Sequence, residues 1–252
     1  MKLYVTAYIE KEIGVAMIDI ELETKKLPFG MTEEVKNLRT SIAFAGDGIK
    51  SVLFTSTMTN EGKSTITIEA AKSFAELGKK VVLVDTDLRK SILKMKLVSG
   101  KMKYGLTHYL SGQCEVDDII YHNTAEGFDN MYIVPTGPAT KAPTELLSTD
   151  KLGKLLDDLR NDYDMVIIDT PPVGTVIDAA IIAPHADGAV FIVESGKVNY
   201  KSVQKAIEKF EVSGCKVLGV ALNKVDKSKN SYGYYKYGKD YGYNYGYGVE
   251  NI

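Results

Sequence analysis

Three short stretches of this 252-residue chain set charged side chains beside apolar runs in the pattern that phosphate chemistry uses. The first is Ser56-Thr-Met-Thr-Asn-Glu-Gly62-Lys63-Ser64-Thr65. Gly-Lys-Ser between an apolar run and a helical stretch is the second half of a phosphate-binding loop. In that role Gly62 lets the backbone wrap closely, and the amides of Thr59, Asn60, Glu61, Gly62, Lys63, Ser64 and Thr65 point at phosphate oxygens. Lys63 neutralises those oxygens, and Ser64 ligates a magnesium ion. The loop departs from G-x-x-x-x-G-K-S because Thr57 stands at the first glycine position.

The second stretch is Asp85-Thr86-Asp87-Leu88-Arg89, directly after Val81–Val84. Two carboxylates just past a buried strand are costly unless a cation sits with them, and Lys63 or magnesium would serve. The third is Asp169-Thr170-Pro171-Pro172, after Val166-Ile167-Ile168. An acid at the end of an apolar strand is where a P-loop enzyme holds its metal or the metal's water shell. Lys63, Asp85, Asp87, Arg89 and Asp169 are therefore the catalytic candidates, and Ser64, Asp85, Asp87 and Asp169 the candidate magnesium ligands.

The elements that must position these residues alternate. Short apolar runs at 51–55, 81–84, 131–134, 165–168, 189–193 and 217–222 read as buried parallel strands. Helical stretches are expected at 33–45, 63–77, 143–161, 177–183 and 200–213, the first of them capped by Thr32. Residues 88–130 read as irregular, with a short helix near 106–110. Strands separated by helix-length segments predict an α/β fold of the P-loop NTPase kind, a mostly parallel sheet with helices on both faces. Ligands then bind beyond the carboxyl ends of the strands. The division expected is an N-terminal segment 1–30, adaptor-like or added, a catalytic domain 31–226 and a tail 227–252.

Composition narrows the class. Hydrophobic content of 44% and charged content of 25% are those of a globular domain with a full core. A net charge of -2 gives no electrostatic reason to expect nucleic acid. Two cysteines far apart and three scattered histidines argue against a zinc site and fit a reducing cytoplasm. No apolar run approaches the roughly 20 residues of a membrane span, so any membrane connection must come through a partner.

The tail is unlike the rest. It holds Tyr232, Tyr234, Tyr235, Tyr237, Tyr241, Tyr243, Tyr245 and Tyr247, eight of the chain's 16 tyrosines, separated mostly by glycine. With so little apolar surface to offset ordering entropy, its composition predicts mobility. Phenols presented behind a nucleotide-binding domain suggest a substrate.

Taken together, these features resemble the bacterial P-loop tyrosine kinases of capsule and exopolysaccharide assembly, over about residues 28–248. The loop 56–65, the second Walker motif at 85–89, the Walker B motif at 169–172 and the tyrosine cluster carry the resemblance. The stretch from Val134 to Leu147 resembles a further family segment, with Ala142 in place of an asparagine. The resemblance implies ATP and Mg2+ as cofactors and the eight tail tyrosines as phosphoacceptors. It also implies a ring-like homo-oligomer in which a neighbour's site takes the tail, built through Glu33, Lys36 and Arg39, with Lys36 replacing an arginine. Further implied partners are a membrane adaptor of the polysaccharide co-polymerase kind, a cognate tyrosine phosphatase and polysaccharide-synthesis enzymes. The expected location is the cytoplasm, at the inner face of the membrane.

Two other readings compete. Asn223-Lys224-Val225-Asp226 matches the guanine-reading motif of GTPases, but Pro172 stands where they need a glycine amide, and the resemblance implies ATP, with Asn223 near the base. A MinD/ParA-like switch ATPase shares the motifs, but the loop lacks that family's additional lysine.

Overall fold

The computed structural model describes residues 18–23 and 27–226. Residues 1–17 and the eight tail tyrosines lie outside the described residues. Nine strands form one sheet in the order β4-β1-β5-β6-β3-β7-β2-β8-β9. They are β1 (Ile18–Leu22), β2 (Ser51–Ser56), β3 (Val81–Asp85), β4 (Leu97–Ser99), β5 (Tyr121–Asn123), β6 (Met131–Val134), β7 (Met165–Asp169), β8 (Gly188–Glu194) and β9 (Val217–Asn223). From β6 to β9 every pairing is parallel. β5 runs antiparallel to β6, and β4 antiparallel to β1.

The helices are α1 (Phe29–Ala43), α2 (Lys63–Ala75), α3 (Leu106–Leu110), α4 (Pro143–Leu147), α5 (Asp150–Asp162), α6 (Asp178–Ile182) and α7 (Tyr200–Glu211). Two apolar cores result. One packs Phe54, Phe74, Leu83 and Ile167. The other packs Leu53, Leu155, Ile168 and Phe191. Adjacent residues such as Leu53 and Phe54 belong to opposite cores because side chains alternate across a strand. Strands β2, β3 and β7 are buried along their whole length. Only their polar carboxyl ends leave the cores, and there the site forms.

Several expectations need correction. α1 begins at Phe29, with Pro28 at the N-cap, rather than after Thr32. Proline favours a helix start because it lacks an N–H to satisfy and its φ is fixed. Thr32 lies inside the first turn, its hydroxyl donating to the Pro28 carbonyl. The single helix expected over 143–161 is two, broken at Ser148–Thr149. β1, β4 and β5 were not expected. β1 falls within residues 1–30, and β4 and β5 within the stretch read as irregular.

Candidate functional site

Alignment of β3 with β7 puts Asp85 directly opposite Asp169. The two acids are 1% and 3% exposed. Across from them α2 starts at Lys63, preceded by Gly62 at φ 87° and with no side chain capping its first turn. That φ is left-handed and suits glycine. An uncapped helix start keeps its amides available to an anion. Asn60 is also left-handed, at φ 65°, so the backbone turns twice within the loop.

Lys63 is 7% exposed. Its ammonium bonds Asp169 Oδ1 at 2.5 Å and Ser64 Oγ at 3.0 Å. Thr67 Oγ1 also donates to Asp169 Oδ1. Asp85 accepts from Ser91 Oγ and from the Asp87 amide. Burial, and then the charge of Asp169 beside it, push the Asp85 carboxyl up to about 8. One acid is thus matched with a cation and the other is held near protonation at neutral pH.

The remaining sequence candidates are less concentrated. Asp87 is half-buried and accepts the amides of Arg89 and Lys90, which shapes its own turn. Arg89 forks onto Asp178, Nε to Oδ2 at 2.7 Å and a terminal nitrogen to Oδ1 at 3.1 Å. It also reaches Thr144 Oγ1 on α4. Glu61 is buried, and its side chain accepts the amides of Met58 and Glu194, tying the loop to the end of β8. Asn223 Nδ2 donates to the Glu61 carbonyl at 2.9 Å, and Lys224 Nζ to the Asn60 carbonyl at 2.8 Å. Both residues brace the loop from β9. A Cβ on Gly62 would come within 2.2 Å of Asn223 Nδ2. Thr59, Asn60 and Thr65 are exposed along the same loop.

Sequence reasoning missed two residues. Asp178, fully buried at the start of α6, is the partner that fixes Arg89. Its signal was an aspartate nine residues after Asp169 in an apolar setting. Ser91, two residues past Arg89, bonds Asp85 and carried no motif.

The donor set fits a nucleotide phosphate with magnesium. Among the described residues no three His, Cys, Asp or Glu side chains are grouped to hold a metal. Mg2+ does not need such a cage, since it is commonly held by one or two carboxylates, waters and substrate phosphates. On α1, Lys36 pairs with Glu33 at 2.8 Å while Arg39 donates to the carbonyl and hydroxyl of Ser73 on α2.

A family model described as an AAA domain matches residues 56–227. The chain is 41% identical to a tyrosine-protein kinase CpsD of Streptococcus agalactiae, over 82% of this chain and 90% of that one. Among solved structures it resembles the chimerical protein CapA2B2, with a TM-score of 0.73, 30% identity and coverage of 88% of this chain and 99% of that one. It also resembles the kinase domain of the Escherichia coli tyrosine kinase ETK, with a TM-score of 0.73, 26% identity and coverage of 96% and 91%. The septum site-determining protein MinD of Pyrococcus horikoshii, solved with Mg-ADP, matches less of the chain, 71%, at a TM-score of 0.62 and 25% identity.

Proposed function

The chain belongs to the bacterial P-loop tyrosine kinases and is a protein-tyrosine kinase; we propose that it moves the γ-phosphoryl group of ATP onto tyrosines of its own tail. The observation that carries this is the place where the last strand ends. β9 stops at Asn223, whose side chain bonds the phosphate loop, and the eight tail tyrosines follow from Tyr232.

Phosphoryl transfer needs alignment and charge neutralisation more than covalent chemistry. The loop amides from Thr59 to Thr65 and the ammonium of Lys63 hold and neutralise the phosphates. Magnesium supplies further positive charge there when bound, with Ser64 and the carboxylates of Asp85, Asp87 and Asp169 as its partners. Asp85 takes the phenol proton. Burial raises this carboxyl, which makes it the more basic of the two acids and so the better proton acceptor once its own proton is displaced on magnesium binding. Arg89, locked to Asp178, keeps the loop from Asp85 to Asp87 in place. Asn223 would lie beside the base when ATP is bound.

Glu33, Lys36 and Arg39 form the contact of a ring-like oligomer in which a neighbour's tail enters the site. Replacing all three with Ala is then expected to yield monomers in light scattering and slower tail labelling; normal assembly would remove the interface. A membrane adaptor of the co-polymerase kind would bring the kinase from the cytoplasm to the membrane's inner face. Polysaccharide-synthesis enzymes would be further substrates and a tyrosine phosphatase the opposing activity. Among the described residues no helix is long and apolar enough to cross a membrane.

Purified full-length protein incubated with labelled ATP or GTP, followed by mapping of the modified residues, tests the reading. Labelling on Tyr232 to Tyr247 with ATP in preference to GTP is expected. Labelling confined to other residues, or equal use of GTP, would overturn it.

A further inference from the structure

A groove of about 390 Å³ opens between Thr57 at the start of the phosphate loop, Gly174 after the Walker B motif, and α7. Its apolar wall is Met58, Val173, Val198 and Ala206, and its cations are Lys197, Lys205 and Lys209. The cations form a pattern. Lys201, Lys205 and Lys209 recur every four residues on α7, and Lys197 precedes them by four more, which aligns the helical three along one ridge. Lys205 and Lys209 make no ion pair among the described residues. Independently, Thr57 is only 7% exposed and lines the same groove, yet its hydroxyl has no hydrogen-bond partner among the described residues. A buried hydroxyl left unbonded is costly, and such a group calls for an explanation. Gly174 closes against this point. A Cβ there would meet the Thr57 carbonyl at 2.0 Å, so nothing larger than glycine fits between.

We propose that this groove binds phosphotyrosine, and that its occupant is the phosphorylated tail of the same chain. The proposal rests on the tail being a kinase substrate. The chemistry of the lining selects an aryl phosphate, since the apolar wall suits a ring and the lysines suit a dianion. An unmodified tyrosine would bring the ring without the charge, and each phosphate adds roughly -1.5 to -2. The tail also begins in the right place. Lys224 and Lys197 both bond Glu194 Oε2, each at 3.0 Å. Asp226 follows two residues after Lys224, near the rim where Lys197 sits. Tyr232 follows six residues later, a reach of about 20 Å if extended. A tethered ligand of this kind has an effective concentration in the millimolar range, so even a weak site fills. Once modified, the tail is repelled by Asp87 and attracted by α7. The groove thus withdraws the product from the site that made it.

The test is binding of a fluorescein-labelled peptide with the sequence of residues 231–248, phosphorylated at Tyr232 or unmodified. The full-length protein is first treated with phosphatase and freed of nucleotide. Phosphopeptide is expected to bind at least about tenfold more tightly than the unmodified peptide, with Lys205→Ala/Lys209→Ala removing most of the difference. Both lysines are exposed, so the double variant keeps its fold, checked by its melting temperature. Autophosphorylated wild type is expected to bind the peptide several-fold more weakly, its own tail competing. Equal binding of the two peptides, or an unchanged affinity in the double variant, would overturn the proposal. So would displacement by Mg-ADP, which would place the peptide in the catalytic site. Displacement by equimolar inorganic phosphate would show a site blind to the ring, and displacement by phosphatidylglycerol vesicles a lipid-facing surface; either overturns it. Apart from the autophosphorylated sample, these readings use no turnover, so a chain that fails to label its tail refutes the kinase reading separately.

Discussion

At the ends of β3 and β7 and the start of α2 the ionisable residues Asp85, Asp169 and Lys63 are almost wholly withdrawn from water. At the ends of β8 and β9 the charges of Glu194, Lys197 and Lys224 meet in the open, with the two lysines 43% and 48% exposed. Both groups are ion-pair networks at the carboxyl edge of one sheet. They differ in the dielectric around them, and that decides what each is worth. A buried pair whose partner is removed leaves a charge without water or counter-ion, a loss of several kcal/mol, whereas an exposed pair contributes little and is screened by salt. The dry centre is where charge is held for chemistry. The wet edge braces the phosphate loop and meets the start of the tail.

The largest effect should follow Lys63→Met. Its ammonium serves the phosphates and also neutralises Asp169, so two losses combine. Transfer to the tail is expected to fall by 10³-fold or more, and stability by about 3 kcal/mol because Asp169 is left unpaired. A variant that melts like wild type would show that Asp169 simply takes up a proton, and that the centre is wetter than its exposure implies.

Next come the two arginine pairs, which lie between the extremes. Arg89 holds Asp178, which is fully buried and, among the described residues, has only the Thr144 hydroxyl besides. Arg160 holds Asp187, which also accepts two amides and the Ser51 hydroxyl. Arg89→Ala is therefore expected to cost about 2–4 kcal/mol and Arg160→Ala about 1 kcal/mol, read by denaturant unfolding. Asp178→Asn in the Arg89→Ala background should recover much of the loss, since it discharges the stranded acid. Equal costs for the two arginines would break the distinction between dry and wet.

A smaller effect, with a pH signature, belongs to Asp85. Its folded-state value is raised from 3.8 to about 8. The folded form therefore binds more protons than the unfolded chain between those values. The contribution of Asp85 to stability is full below pH about 4 and is lost as pH rises toward 8. Asp85→Asn should be more stable than wild type at pH 8.5, on the order of 1 kcal/mol, and should lose that advantage at pH 4, both in EDTA. The same substitution should stop transfer while sparing ADP binding. A stability gain that does not change with pH would mean that Asp85 is not held near protonation.

The centre was legible in the sequence, as were β8 and β9, and the opposite side of the sheet, β4-β1-β5, was not, for physical reasons. β2, β3 and β7 are continuous apolar runs ending in polar residues, and the local pattern by itself marks the strand and its functional end. β5, at Tyr121-His122-Asn123, is three residues with no alternation, and it exists because β6 offers it a partner. β1 does alternate, with Ile20 and Leu22 buried between exposed acids, but it is too short to stand out among the acidic residues around it. The break between α4 and α5 was masked by leucines spaced as if one helix continued, although Thr149 marks the second start. Lys63, Asp85 and Asp169 announce themselves by type and place. Asp178 and Ser91 matter only through what they touch, and no spacing encodes a contact made across 89 positions.

The smallest expected effect tests the wet edge. Lys224 Nζ bonds the Asn60 carbonyl at 2.8 Å and Glu194 Oε2 at 3.0 Å, and Lys224 itself sits at φ 55°. In Lys224→Ala, Glu194 keeps Lys197, and water replaces the lost ammonium on both oxygens. The melting temperature should therefore move by only about 1 °C, as for an exposed pair in a domain of this size. What changes is the loop. With its carbonyl released, Asn60 gains freedom in a left-handed turn that only a few residue types adopt readily. Binding of Mg-ADP should then weaken about two- to threefold, because part of the binding free energy goes into reordering the loop. Salt gives the control. Raising NaCl from 0.05 M to 0.5 M shortens the Debye length from roughly 14 Å to about 4 Å, so wild type should approach the variant's melting temperature. A drop of 5 °C or more in Lys224→Ala, insensitive to salt, would mean that the edge is as dry as the centre and that the two networks do not differ in kind.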